Sequence, residues 1–392
     1  SRIKKSFHSE KKSNQDEFFA FINTFSEAVT GYYCAKYDVL NANAQRGLSK
    51  LTVKLLLPCL LFAQVAESID AETLLRLWPI PAFFITTSLI SGFLGLVGGK
   101  IFNFSNSQTR LIATGIIFNN VTSMPIGLIQ SLAATEAIEF LLWGEHDKPK
   151  KAFARGVSYA LLNTLLANIL RFSLGTWLLK KKESDVADEE QIDTENIPLL
   201  SSSSHQTPHA PFSNLINKIN GFMNAPLYAA LIAIIVGTIP TIRSLFFGES
   251  AILYTVITRP VQYIGEIAIP FTILLLGAQL NNISPHKSRE LLPIISYIMT
   301  CRFIIMPIIG ISLVVLTRGW YFDDPMLWFV LMLAASGPTA INTMNMAQIT
   351  GSFQEEVAAL LAYSYIALAP MITVFTMIML SVIESLTHQD HN

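Results

Sequence analysis

The sequence predicts an all-α membrane protein of ten transmembrane helices, arranged as two inverted repeats of five helices. Three observations lead to this fold class. The chain is 51% hydrophobic and only 14% charged, whereas a soluble domain carries about 25% charged residues. Ten apolar stretches approach or exceed the roughly 20 residues that a helix needs to cross a bilayer. A single polar linker separates these stretches into two groups of five.

The charged residues are concentrated between the apolar stretches and in two tails, residues 1–16 and 385–392. The first span is short and polar, so we expect it to pack inside the bundle rather than against lipid. The predicted first repeat, residues 17–180, contains spans 17–34, 47–66, 74–102, 109–133 and 152–180. The predicted second repeat, residues 214–384, contains spans 222–242, 252–281, 290–317, 325–350 and 356–384.

Residues 181–213 form the linker, which is acidic, rich in serine and free of aromatic residues until Phe212. Such a segment cannot bury enough apolar surface to fold, so we predict that it is disordered. Because five spans precede the linker, the second repeat enters the membrane in the inverted orientation. Basic residues are nearly balanced between the two sides of the membrane, and we expect the linker in the cytosol.

Each half contains one apolar segment that a proline interrupts next to polar residues. The first segment has Asn119 and Asn120 ahead of Pro125, and the second has Pro338 ahead of Asn342. A proline inside a helix removes a backbone donor and clashes with the preceding turn, so the helix unwinds there. In hydrocarbon, the freed backbone groups are tolerated only where they line a protein cavity. Paired breaks of this kind indicate the binding site of a transporter.

The separation of the breaks from earlier prolines supports a duplication of the chain. Pro125 follows Pro58 by 67 residues, and Pro338 follows Pro270 by 68 residues. Two proline pairs at matched separation indicate that the two halves share one layout.

Motifs in both halves resemble the auxin efflux carrier family, in particular its PIN-LIKES branch and related fungal membrane proteins. These motifs are Leu57-Pro58-Cys59-Leu60-Leu61-Phe62, Asn119-Asn120-Val121-Thr122-Ser123-Met124-Pro125 and Ser336-Gly337-Pro338-Thr339-Ala340-Ile341-Asn342. The resemblance covers nearly all of residues 17–384. It implies that helices four and nine cross at their broken prolines, between a scaffold domain and a moving transport domain. It also implies passage of a small amphipathic organic anion such as indole-3-acetate, by an elevator-type motion, in the endoplasmic reticulum membrane.

The resemblance assigns substrate-binding roles to residues at the two breaks. The half-helix N-termini at Pro125 and Pro338 would face a carboxylate with partial positive charge. The first break departs from the Gly-Asn-Leu-Pro pattern of many plant members, so the plant substrate need not carry over. The polar substrate-binding positions are Asn119, Asn120, Asn342 and Thr343 at the breaks, with Asn163 on the fifth span.

Three residues inside the second half are candidates for ion coupling or for an ion pair: Glu266, Gln279 and Arg302. Intramembrane charge is costly, so one interpretation of Glu266 is cation or proton coupling, and the other is a structural pair with Arg302. For Gln279, helix packing is favoured over ligand binding. Arg302 could bind the substrate carboxylate, but we favour a structural role in which it snorkels to the membrane surface or caps a helix.

The sequence predicts no enzyme, metal or cofactor site. All seven histidines lie in tails or connectors, and Cys34, Cys59 and Cys301 lack metal-ligand spacing, so we expect free thiols. A net charge of -1 argues against nucleic acid as a partner. The expected partners are a small organic anion and the lipid bilayer, and a homodimer is left open.

Two alternatives to an organic anion carrier stay open. The first is a sodium- or proton-coupled carrier of the bile-acid-symporter type, although the lack of Asp and Glu in residues 152–180 argues against its antiporter version. The second is a membrane sensor that binds a ligand without moving it. An acidic di-leucine pattern at Glu195, Leu199 and Leu200 raises a vacuolar or lysosomal membrane as the alternative location.

Overall fold

The structure, a computed structural model, describes residues 26–68, 77–133, 135–144, 147–180, 224–248, 253–282 and 285–389. The predicted N-terminal tail and the predicted linker at 181–213 lie outside these residues. Within the described ranges every regular element is helical, apart from one isolated β-bridge. The fold class predicted from composition is therefore confirmed at this coarse level.

The described residues of the first half form eight α-helices. Two π-turns, Thr52–Leu56 and Arg171–Gly175, continue the helix from α2 into α3 and from α7 into α8. The helices are α1 (26–36), α2 (Ala42–Leu51), α3 (Leu57–Ser68), α4 (Pro79–Ile101), α5 (Asn106–Ile117), α6 (Ser123–Ala133), α7 (Pro149–Leu170) and α8 (Thr176–Leu179).

In the second half, nine α-helices lie within the described ranges. Two π-turns recur here: Tyr254–Thr258 precedes α11, and Cys301–Ile305 joins α13 to α14. The helices are α9 (Ala225–Thr238), α10 (Pro240–Phe247), α11 (Arg259–Glu266), α12 (Ala268–Asn282), α13 (Pro285–Thr300), α14 (Met306–Thr317), α15 (Pro325–Ala335), α16 (Asn342–Thr350) and α17 (Gln354–Gln389).

Six continuous helices among the described residues are long and apolar enough to cross a membrane, or seven if the bent pair α9–α10 counts as one span. These six correspond to the second, third, fifth, seventh, eighth and tenth predicted spans. The fourth and ninth predicted spans are pairs of shorter helices. A multi-pass membrane protein is thus confirmed, whereas the count of ten and the inverted repeat stay predictions.

The sixth predicted span, residues 222–242, is sharply bent within its length. Helix α9 ends at Thr238 and α10 begins at Pro240, and the two helices meet at 106°. Between them Ile239 has the extended backbone (φ -95°, ψ 107°) that a residue before proline prefers. The proline therefore ends the helix although the apolar sequence continues through it.

The core is centred on α15, the first half of the ninth predicted span. Ten of its eleven residues are buried, as a helix that is apolar on all sides requires. It packs against α7, α14 and α17. At its N terminus the buried carboxylate of Asp324 accepts hydrogen bonds from Arg155 Nε (3.0 Å) and Tyr159 Oη (2.8 Å). These contacts fix the end of α15 to α7 and so hold the following break in place.

Candidate functional site

The first break separates α5 from α6. Helix α5 ends at Ile117 and α6 begins at Ser123, and residues 118–122 between them are not helical. Pro125 lies in the first turn of α6, where an N–H would have no intrahelical partner and the proline is tolerated. The sequence thus predicts this break correctly because the proline fits a helix start and not a helix interior.

The second break separates α15 from α16. Helix α15 ends at Ala335, and α16 begins at Asn342. Gly337 has a φ of +97°, a conformation that residues with a Cβ atom rarely adopt. Pro338 follows it directly, so neither residue favours continuation of the helix.

The two breaks pair with each other as a short antiparallel contact. The Asn120 N–H donates to the Pro338 carbonyl, and the Ala340 N–H donates to the Phe118 carbonyl, both at 2.9 Å. Asn119 and Thr339 face each other in the isolated β-bridge. Backbone groups that the breaks free from helices are thereby satisfied inside the protein, as hydrocarbon requires. We call this contact, residues 118–120 with 338–340, the crossing.

Asn119 and Arg302 cap the helix ends that point at the crossing. Asn119 Nδ2 donates to the carbonyls of Ala334 (2.5 Å) and Ser336 (3.2 Å). Arg302 donates from Nε to Gly337 (3.0 Å), from Nη1 to Ile116 (3.2 Å) and from Nη2 to Ser336 (3.3 Å). The last carbonyls of a helix lack intrahelical partners and carry partial negative charge. Asn119 therefore caps the C-terminal end of α15, and the positive charge of Arg302 compensates the ends of both α5 and α15.

The snorkelling alternative for Arg302 is wrong, because its side chain is 2% exposed and contacts only the helix breaks. The alternative of an ion pair with Glu266 is also not seen. Glu266 ends α11 with an exposed side chain, whereas Arg302 is buried at the crossing. Gln279 lies outside the crossing and donates to Gln45 and Gln354 at 3.2 Å each. The described residues contain no group of three metal-binding side chains.

A second buried arginine, Arg171, contacts the crossing from the π-turn after α7. It is 1% exposed, and it donates from Nη1 to Asn168 Oδ1 (2.5 Å) and from Nη2 to the Asn119 carbonyl (3.4 Å). Its Nε–H is buried without a hydrogen-bond partner among the described residues. The sequence analysis did not single out this residue. Its position within the apolar run Ile169-Leu170-Arg171-Phe172 is enough to mark it as a candidate site residue. A charged residue inside a transmembrane span is rare and usually has a function.

Asn120 points to the opposite side of the crossing from Asn119. Its Nδ2 donates to the Tyr365 hydroxyl at 2.8 Å, and Tyr365 is also close enough to interact with the Arg171 charge. Asn342 and Thr343 begin α16. The Asn342 side chain accepts from Asn345 at 3.2 Å, and the Thr343 hydroxyl is buried without a partner in the described part of the chain.

Asn163 faces a small cavity on the Asn119 side of the crossing. The cavity measures about 10 Å³, and Asn163 is 3% exposed. Asn342 and Thr343 do not line it. The structure thus divides the predicted site residues into two groups. Asn119, Asn163 and Arg302 share the cavity, while Asn120, Asn342 and Thr343 lie outside it.

An all-helical, multi-pass membrane protein in which two broken helices meet at a buried crossing has the architecture of a transporter with discontinuous helices. Comparison with known families identifies which class of transporter this is. The chain belongs to the auxin efflux carrier family, whose model, described as membrane transport protein, matches residues 18–376. Because this is a family of transporters, the prediction that the chain is not an enzyme is confirmed.

Relatives that match this chain over most of their own length occur in fungi and plants. An uncharacterized transporter of Schizosaccharomyces pombe is 27% identical over 88% of this chain and 90% of its own length. An uncharacterized transporter of Saccharomyces cerevisiae is 25% identical over 87% of this chain and 90% of its own length. Protein PIN-LIKES 7 of Arabidopsis thaliana is 25% identical over 90% of this chain and 92% of its own length. The resemblance stated from the motifs is therefore confirmed.

Proposed function

We propose that the protein carries small amphipathic organic anions, of the indole-3-acetate type, across the endoplasmic reticulum membrane. One observation carries the proposal. Two fully buried arginines, Arg171 and Arg302, contact the crossing, and neither has a carboxylate partner among the described residues. A buried cation without a counter-charge is costly inside a bilayer. An anionic substrate would offset that cost, whereas a cationic substrate would add to it.

The substrate carboxylate would bind beside Asn120 and Arg171, since Asn120 is part of the crossing and Arg171 donates to the neighbouring Asn119 carbonyl. The buried Arg171 Nε–H is a free donor there, and hydrogen bonds between two charged groups are the stronger kind. Helices α6 and α16 both begin at the crossing, so their N-termini add partial positive charge. Asn342 and Thr343 stand in the first turn of α16 and supply further polar groups.

Transport would require the packed helices to separate and the crossing to move. The cavity of about 10 Å³ is far smaller than the roughly 300–1,000 Å³ of pockets that hold drug-sized ligands. The elevator-type motion that the family resemblance implies would supply the opening. Arg302 and Asn119 bond both breaks at once, which favours movement of the two breaks as one body.

Uptake into liposomes tests this function. The purified protein is reconstituted and supplied with labelled aromatic and aliphatic carboxylates, with protein-free liposomes as the blank. We expect saturable uptake of carboxylates, and uptake lowered by Asn342→Ala but not by Asn43→Ala, which alters an exposed asparagine on α2. Carboxylate flux at the level of the blank would contradict the proposal. Binding without flux would favour the sensor, and flux that needs a sodium or pH gradient would favour the coupled carrier.

A further inference from the structure

We infer that the cavity beside the crossing binds a single small anion of the halide class, at a site separate from that of the transported anion. Helix α4 contributes three hydroxyl groups to the cavity wall. The rest of the wall comes from α5, α7, α14, α15, the π-turn Cys301–Ile305 and Asn119. The polar lining residues are Thr87, Ser88, Ser91, Asn119, Asn163 and Arg302. The inference does not depend on which organic anion the protein carries: the small anion would compensate Arg302, and Arg171 would remain the buried charge for the transported anion.

Asn163 provides the first indication of a ligand. Its side chain is 97% buried and lines the cavity, yet its amide has no hydrogen-bond partner among the described residues. Buried polar groups in native proteins are almost always paired with protein, water or ion. The unpaired amide therefore points to a partner inside the cavity, which makes Asn163 a ligand of the small anion rather than of the transported one.

Arg302 determines the sign of the ligand charge. Its guanidinium has five N–H donors, of which three bond backbone carbonyls. The residue lines the cavity, so we infer that the other two donors are available to a ligand there. No carboxylate is among the residues that line this cavity. A cation would be repelled by the buried guanidinium, whereas an anion would receive donors and compensate its charge.

The hydroxyl groups on α4 suit the same ligand. Ser91 Oγ contacts only the Met306 sulfur, at 3.5 Å, and a thioether is a weak acceptor. Ser88 has no hydrogen bond in the described part of the chain. Both O–H groups can therefore turn toward an anion without losing a strong bond.

The size of the cavity excludes larger anions. A volume of about 10 Å³ is about the space that one water molecule needs. A carboxylate with its organic body, a sulfate or a phosphate would not fit without separation of the helices. A halide ion is monatomic but also larger than a water molecule, so its binding would require the lining side chains to shift outward. Water would need no such shift, but it would leave the Arg302 charge uncompensated.

Thermal unfolding of the full-length protein in detergent tests the site. Protein is titrated with sodium chloride and sodium bromide, while sodium gluconate holds the ionic strength constant, and sodium sulfate serves as a second large anion. We expect the unfolding midpoint to rise saturably with chloride and bromide only. Ser88→Ala and Asn163→Ala should each raise the halide concentration for half-maximal stabilisation about tenfold, the value of one hydrogen bond to a charged group.

Thr86→Ala is the matched control, because Thr86 neighbours the cavity residues on α4 but has an exposed side chain. It should leave the halide response unchanged. A midpoint that rises equally in halide, gluconate and sulfate would mean that only water occupies the cavity. A halide response that Ser88→Ala and Asn163→Ala both retain would place the anion elsewhere. Either result overturns the inference, and neither one affects the carboxylate uptake that tests the proposed function.

Discussion

Replacement of Arg171 by glutamine separates an anion-binding role from a structural one. In the structure its Nη1 and Nη2 groups bond Asn168 and the Asn119 carbonyl, while its Nε–H is buried and unpaired. The two observed bonds support folding by about 1 kcal/mol each. Against them stands the desolvation of a buried cation without a counter-charge, which costs several kcal/mol. Arg171→Gln should therefore leave the free energy of unfolding unchanged or raise it.

The affinity for an anionic ligand, in contrast, should fall in Arg171→Gln. A hydrogen bond to a charged group contributes about 1.5–3 kcal/mol, and each 1.4 kcal/mol is a factor of about ten in affinity. We expect the dissociation constant for a labelled aromatic carboxylate to rise about 10- to 150-fold in Arg171→Gln. Equilibrium binding in detergent measures this constant, and thermal unfolding of the same sample measures stability.

Arg259→Gln controls for the loss of one positive charge, because Arg259 is exposed on α11. It should leave affinity within about twofold of the unmodified chain, since surface substitutions change free energies by about 0.5 kcal/mol or less. An unchanged affinity for the carboxylate in Arg171→Gln would refute the anion-binding role of Arg171. Loss of affinity together with loss of stability would show that Arg171 only holds the break in shape.

Two further substitutions test how the breaks are held. Gly337→Ala should lower the free energy of unfolding by about 1–3 kcal/mol, because φ is +97° and an added Cβ would lie 2.6 Å from Met124 Sδ. Thermal unfolding measures this loss. The control is Gly319→Ala, which should leave stability unchanged because an added Cβ there would have nothing within 4 Å. Asp324→Asn should lower the free energy of unfolding by about 3–5 kcal/mol, because Asp324 is fully buried against Arg155. Asp323→Asn, at the neighbouring exposed position, should lower it little. Equal losses of stability in the two variants would contradict the role given to Asp324.

The breaks were predictable from sequence because proline has a local, steric effect on a helix. The predicted span 109–133 contains the observed break between α5 and α6, and 325–350 contains the break between α15 and α16. Pro240 has the same local effect on its helix. The residues on both sides of it are apolar, however, so the hydropathy pattern does not indicate that the helix ends there. The size of that bend depends on tertiary packing, which the sequence pattern does not contain.

The grouping of the site residues was less predictable. Asn119 and Asn120 are adjacent and looked equivalent, but consecutive side chains of an extended segment point to opposite faces. Asn119 therefore caps α15, while Asn120 reaches Tyr365. Arg302 looked close to the membrane surface because of its distance from Glu290. It lies in a continuous helical span that runs from Arg289 to Trp320, and at 1.5 Å per residue it is about 20 Å from the start of that span.

Arg171 was missed for a different reason. The fifth span lacks the acidic residues that a cation carrier would need, and that absence drew attention away from its one arginine inside the apolar run. A search for any charge inside an apolar span would have found it. What no sequence pattern supplies is the partner of such a charge, because partners come from helices that are distant in the chain and meet only after packing.

Buried positive charge at the crossing should select an anion over a neutral compound of the same shape. A matched pair of ligands tests it most directly: indole-3-acetate and indole-3-acetamide have nearly the same shape, but only the first is charged at neutral pH. Uptake of both is measured in the same proteoliposomes, after subtraction of passive entry into protein-free liposomes. We expect protein-dependent uptake of the acid to exceed that of the amide by at least about tenfold, the equivalent of one charge-assisted hydrogen bond. Equal uptake of the two compounds, or faster uptake of the amide, would contradict the claim.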